Sequence, residues 1–260
     1  MMSFVRVEKE GRILKIILAR PEKMNAMTVS MYHDLASAYG QLHADPELWV
    51  GLVYGEGEHF TSGLELTDWT ETFSSGALPL LSEGMIDPFN LSGPKLSKPL
   101  VMAVQGYCYT CGVEMLLNTD IRVAATSTRF AQLEVLRGFF PCGGATIRLQ
   151  KEIGWANAQR YLMTGDKWSA EDAYRMGMIQ ELCEPGEQVN QAMKIAQRIA
   201  QAAPLGVQGS LNSSKIARDQ GEEIAISRLF VDLEPVMKSE DVKEGVRSFV
   251  ERRTANYVGR

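Results

Sequence analysis

A chain of 260 residues, 45% hydrophobic and 23% charged, has an ordinary globular mixture and enough length to bury a core, which excludes fibrous and low-complexity classes. A net charge of -5 without a lysine-rich stripe argues against nucleic-acid or membrane-surface binding. No apolar run reaches the ~20 residues of a membrane helix, and charges near the N-terminus disfavour a secretory signal, so a soluble, cytoplasmic protein is expected.

In chain order, Phe4 to Gly11 and Arg12 to Ala19 are two β-rich runs meeting at a glycine, which predicts a hairpin. Arg20 to Ala26 breaks the pattern, and Thr28 then caps a helix whose apolar positions Met31, Leu35, Tyr39 and Leu42 recur at helical spacing. Trp49 to Tyr54 reads as a buried strand, followed by the glycine-punctuated loop Gly55 to Leu64. From Trp69 to Pro94 there is no sustained periodicity, which predicts an irregular segment beside a site. Lys98 to Val104 is a strand, the Gly106 turn opens a helix to about Asn118, and Asp120 to Ala125 is a further strand. Helices follow over Ala145 to Ile153, Ala156 to Met163 and Ser169 to Met176, the last with Ser169 as N-cap. After a strand at Met178 to Cys183, the pattern is helical from Glu187 to Ala202, Gly206 to Arg218, Glu222 to Lys238 and Ser239 to Arg252. The expected architecture is one α/β core over residues 1–200 with a helical C-terminal extension over 201–260.

Two acids stand among small residues and glycines. Glu114 closes the stretch that begins at Gly106, and Glu134 follows Phe130 with Gly138, Pro141, Gly143 and Gly144 just beyond. The turns Thr61 to Leu64 and Thr110 to Gly112 can each present a backbone N–H to an oxyanion, because a helix or turn start leaves donors without acceptors. Acids for proton transfer beside N–H groups for a developing negative charge suit proton chemistry next to a carbonyl. Cys108 and Cys111 form a C-x-x-C, which in isolation could be a redox or zinc motif. With Cys142 and Cys183 single and three histidines in all, no metal site is expected, and small residues lining a tight turn are the preferred reading.

These segments, in this order, resemble the crotonase superfamily of enoyl-CoA hydratases and isomerases over nearly the whole length. Arg20 to Ala26 is similar to its R-P-x-x-x-N-A segment, and Phe60 to Leu64 to its first oxyanion loop. Gly106 to Asp120 resembles its glycine-rich helix, Phe130 to Leu149 its second catalytic segment, and Phe249 to Arg253 its C-terminal helix. The resemblance implies a β-β-α spiral core and a trimer, often paired into a hexamer, with an acyl-CoA thioester as substrate and no further cofactor. It implies that Glu114 activates water for addition at C3, that Glu134 exchanges a proton at C2, and that the Leu64 and Cys111 N–H groups hold the thioester oxygen. Contacts to coenzyme A or the acyl chain fall on Lys23, Met24, Ala26, Ser62, Leu64 and Trp69, with Arg252 or Arg253 reaching a phosphate.

Three departures stand out: Thr110 and Cys111 replace glycines, Glu65 replaces an aspartate, and Trp69 with Met85 and Ile86 refills the acyl pocket. Dienoyl-CoA isomerases in the superfamily carry a further acid eight residues after the second; Cys142 occupies that position, which favours hydration. A simple double-bond shift using Glu134 alone, and a relative that binds acyl-CoA or RNA without chemistry, are the alternatives.

Overall fold

The computed structural model describes residues 3–260. The hairpin forms as expected: β1 (Val5–Glu10) and β2 (Ile13–Leu18) pair antiparallel, with Val5 opposite Leu18. A 3-10 turn at Pro21–Lys23 leads to α1 (Val29–Ala44), where the Thr28 side chain accepts the Met31 N–H at 3.1 Å. β3 (Val50–Gly55), α2 (Leu66–Ser74), β4 (Leu100–Val104), β5 (Tyr107–Tyr109), α3 (Cys111–Leu116), β6 (Ile121–Ala125) and β7 (Arg129–Ala131) follow. After a second 3-10 turn at Glu134–Arg137 come α4 (Ala145–Ile153), α5 (Trp155–Thr164), β8 (Trp168–Ser169), α6 (Ala170–Arg175) and β9 (Glu181–Cys183). The chain closes with α7 (Gln188–Ala200), α8 (Pro204–Gln220), α9 (Glu222–Met237) and α10 (Glu240–Glu251).

The main sheet has the order β1-β2-β3-β4-β6-β9, parallel beyond the hairpin. Parallel strands must be covered on both faces, and side-chain alternation supplies two apolar sets. Ile13, Val50, Leu52, Val101, Ala103 and Val123 pack against Ala192, Ile195 and Ala196 of α7. Leu14, Ile16, Leu18, Val53, Met102 and Val104 face the larger core with α1 and α3. A second sheet, β5-β7-β8, leaves no strand signal in the sequence: its members are two or three residues long, too short to show a period-2 pattern.

The segment expected to be irregular from Trp69 onward begins inside α2, whose one buried residue is Trp69. Around that side chain Tyr32 and Phe73 pack at ring-centroid separations of 5.6 and 5.3 Å. In the C-terminal part, α8 and α9 pack chiefly against each other. Among the described residues no helix is long and apolar enough to cross a membrane.

Candidate active site

The first loop is held from below by the Arg20–Ala26 segment. Met24 and Asn25 take left-handed backbone, with φ 51° and 52°. The buried Asn25 side chain accepts the Arg20 N–H at 2.8 Å and donates to the Glu56 and His59 carbonyls, each at 2.9 Å. The Thr61 hydroxyl donates to the Asn25 carbonyl at 2.7 Å, Ser62 N–H donates to the Met24 carbonyl at 2.9 Å, and Met27 N–H to the Gly63 carbonyl at 2.8 Å. Arg20 spans the junction, donating to the Ala26 carbonyl at 2.8 Å and pairing with Glu65 at 3.2 Å. The asparagine-alanine motif therefore sets the loop's geometry by closing its backbone hydrogen bonds. The sequence points only to substrate contact for this segment and leaves that supporting role unseen.

The second turn docks on that loop. Thr61 N–H donates to the Tyr107 carbonyl at 2.9 Å, and Tyr109 N–H returns a bond to the Thr61 carbonyl at 3.1 Å. Gly63 is required at the contact, since a Cβ there would collide with the Thr110 hydroxyl oxygen. Thr110, a β-branched residue at φ 48° and ψ -111°, occupies backbone that glycine takes readily, a strain on the order of 1–3 kcal/mol. Its N–H is tied to the Ala131 carbonyl at 2.8 Å and its carbonyl accepts the Glu114 N–H at 3.1 Å. Among the described residues, Leu64 N–H and Cys111 N–H, the two expected oxyanion donors, have no intramolecular acceptor in these turns. Leu64, Ser62 and Thr110 line a cavity of about 120 Å³ with Glu134, Leu66, Leu133, Arg137 and Phe139.

Both carboxyls are buried. Glu114 Oε1 accepts the Ala145 N–H at 3.1 Å, at the start of α4, and Oε2 fills the space that a Cβ on Gly143 would need. The glycine pair after Pro141 thus clears room for this carboxyl and aims a helix N-terminus at it. Burial raises Glu114 from 4.5 to about 7, opposed by the N–H groups of Ala145 and Gly143 and by the Arg148 charge. Glu134 rises to about 8, first through desolvation and then through the neighbouring Glu114 charge. Glu134 reaches the cavity wall directly, whereas Glu114 does not line it.

The expected site residues are only partly brought together. Ser62, Leu64 and Glu134 share the cavity, Cys111 adjoins it through Thr110, and Lys23, Met24 and Ala26 lie on or beside the flanking 3-10 turn. Trp69 is fully buried and does not line the cavity; its indole N–H donates to the Met27 carbonyl at 2.8 Å, so it supports the first loop from behind. The Arg253 guanidinium is held by Glu244 at 2.6 and 2.9 Å and by Glu251 at 2.6 Å, at the end of α10, and neither it nor Arg252 lines the cavity.

Cys108 and Cys111 are buried free thiols, pushed well up by desolvation, and among the described residues no group of three or more histidine, cysteine or acidic side chains is placed to hold a metal. Leu66, Leu133, Arg137 and Phe139 belong to the cavity without any sequence signal.

The sequence model of the Enoyl-CoA hydratase/isomerase family matches residues 8–260. An enoyl-CoA hydratase of Mycobacterium tuberculosis, EchA19, is 32% identical over 98% of this chain and 96% of its own. An (E)-benzylidenesuccinyl-CoA hydratase of Thauera aromatica is 30% identical, covering 98% and 99%. Among solved structures, one described as a "probable enoyl-CoA hydratase/isomerase" from Mycobacterium abscessus superposes with a TM-score of 0.96 at 42% identity, over 99% of both chains. The spiral core, the two loops joined through Thr61 and the matches along the full length agree: the chain belongs to the enoyl-CoA hydratase/isomerase family of the crotonase superfamily.

Proposed function

We propose that this protein is an enoyl-CoA hydratase, adding water across the 2,3 double bond of a 2-enoyl-CoA thioester. The observation that carries this reading is the pair of buried carboxyls raised to about 7 and about 8, beside two turns whose Leu64 and Cys111 N–H groups have no acceptor among the described residues. Near neutral pH such a pair supplies one base and one acid together. Ionised Glu114 takes a proton from water as its oxygen adds to C3. The thioester oxygen takes on enolate charge held by the two N–H donors, and protonated Glu134 delivers its proton to C2. No metal or further cofactor has a step in this scheme.

A double-bond shift is the second reading, favoured by one fact: Glu134 lines the cavity and Glu114 does not. Glu134 alone would then move a proton between carbons through the same enolate. Incubation with crotonyl-CoA, following loss of the conjugated thioester absorbance, separates the two. Hydration bleaches the band; no bleaching, together with turnover of a 3-enoyl-CoA, replaces the hydratase by an isomerase.

The proposed assembly is a homotrimer or a pair of trimers, built through the helical extension. Phe230 on α9 and Phe249 on α10 are 82% and 84% exposed, with Val231 and Val250 beside them, an apolar surface that an isolated chain leaves in water. Phe230→Asp with Phe249→Asp is expected to convert the oligomer to monomer in sedimentation or light-scattering measurements. A monomeric wild-type protein would remove this part of the proposal.

A further inference from the structure

Gln132 is fully buried two residues before Glu134, with its amide between two fixed groups. One end lies 2.9 and 2.8 Å from the Glu134 oxygens, and the other is 3.3 Å from the Thr110 carbonyl oxygen. An amide has a donor end and an acceptor end, and its neighbours' protons decide which way it faces. With Glu134 ionised, the amide nitrogen donates to the carboxylate and the amide oxygen is left against the Thr110 carbonyl, two acceptors with no proton between them. With Glu134 protonated, the carboxyl O–H donates to the amide oxygen and the amide nitrogen donates to Thr110. Thr110 does not escape by turning, since its carbonyl also accepts the Glu114 N–H at 3.1 Å and its own N–H is tied to Ala131 at 2.8 Å.

The Thr110 carbonyl and the Cys111 N–H belong to one planar trans peptide and point in opposite directions. A hydrogen bond to the carbonyl polarises the unit and strengthens the N–H as a donor on the far side. Resting on the hydratase or isomerase reading above, we propose that Gln132 is a positioning residue that couples the proton on Glu134 to the oxyanion donor of Cys111, by donating to the Thr110 carbonyl while Glu134 is protonated.

The timing fits either direction of reaction. When Glu134 takes the C2 proton, the C–H electron pair moves into the thioester as an enolate. When water oxygen adds at C3, losing its proton to Glu114, the π electrons form the same enolate facing a Glu134 that still holds its proton. Charge on the thioester oxygen and a proton on Glu134 therefore coexist, and in that state the Cys111 N–H is at its strongest. The other titratable and charged groups facing Glu134 are Glu114 and Cys111 from α3 and Cys142 beyond the second 3-10 turn, with Arg137 on the turn itself lining the same cavity.

The test is the carbonyl stretching frequency of butyryl-CoA bound to the full chain, read from about pH 6 to about pH 10 across the Glu134 titration. In the wild type the frequency is expected to rise as Glu134 loses its proton. In Gln132→Leu, and in Gln132→Met, which keeps the volume and guards against a folding failure, the pH-dependent shift is expected to fall to less than about half. Their kcat should fall about tenfold to a hundredfold with little change in KM, less than the ~10²–10³ of removing a direct oxyanion donor. A folded variant that binds butyryl-CoA with the full wild-type shift overturns the coupling, as does a wild type whose frequency ignores pH. Crotonyl-CoA bleaching by the wild type, in either case, leaves the functional reading standing. A wild type that binds no acyl thioester removes both.

Discussion

Glu114→Gln and Glu134→Gln are each expected to lower kcat for hydration of a 2-enoyl-CoA by about 10²–10⁴-fold, the usual worth of a positioned acid or base. The double variant should lose far less than the product of the two factors, because each carboxyl works only in concert with the other. In Glu114→Gln the new amide keeps an oxygen for the Ala145 N–H, so the fold around α4 is retained and the loss reads out chemistry. The pH profile carries the same information. If Glu114 must be ionised and Glu134 protonated, the rate rises with pH through about 7 and falls through about 8, a narrow bell whose limbs belong to the pair. Retention of crotonyl-CoA hydration in Glu114→Gln would remove Glu114 as the base for water. Turnover of a 3-enoyl-CoA retained in Glu114→Gln and lost in Glu134→Gln, without crotonyl-CoA bleaching by the wild type, would transfer the protein to the isomerase reading.

The same two variants should stabilise the fold in alkali. Both carboxyls are raised above the ordinary 4.5, to about 7 and about 8, so folding favours their protonated forms. The stability this contributes is fully present below about pH 4.5 and is lost as pH rises through the folded values. For Glu114, an interval from 4.5 to about 7 at about 1.4 kcal/mol per unit gives roughly 3 kcal/mol of strain in the ionised wild type. Denaturant unfolding at about pH 9 should therefore show Glu114→Gln more stable than wild type by roughly that amount, with the difference vanishing toward pH 4. Equal stabilities at both pH values would mean that the carboxyl is not desolvated as the structure has it. The direction is opposite to that expected for a surface acid in an ion pair, and it marks a site where stability is given up for chemistry.

The positions of the two acids, the two donor turns and most helices are legible in the sequence because each leaves a local mark. Thr28 and Ser169 do cap helices, accepting from Met31 and Asp172. Glycines at 63 and 143 do mark close approaches, to Thr110 and to the Glu114 carboxyl. The burial of Trp69 is not legible, because an aromatic residue near a site looks the same in sequence whether it faces a ligand or props a loop from behind. The ion pair of Arg253 is hidden for a similar reason: a basic pair at a helix end suits a phosphate, and only the structure brings Glu244, nine residues earlier in the chain, close enough to hold Arg253. Gln132 has no signal at all, since its role depends on Thr110, twenty-two positions away, presenting its carbonyl at 3.3 Å.

By itself the sequence determined the family, the order of most strands and helices, and which carboxyls and backbone donors could do proton chemistry, because periodicity, caps and glycine turns are written in neighbouring residues. Tertiary structure decided the rest. It raised Glu114 and Glu134 toward neutrality by desolvation and, for Glu134, by its neighbour's charge, moved Trp69 into the core, and set Gln132 between a carboxyl and a peptide carbonyl. These depend on distances between segments far apart in the chain, and burial, charge and hydrogen bonding act through those distances and not through position in the sequence.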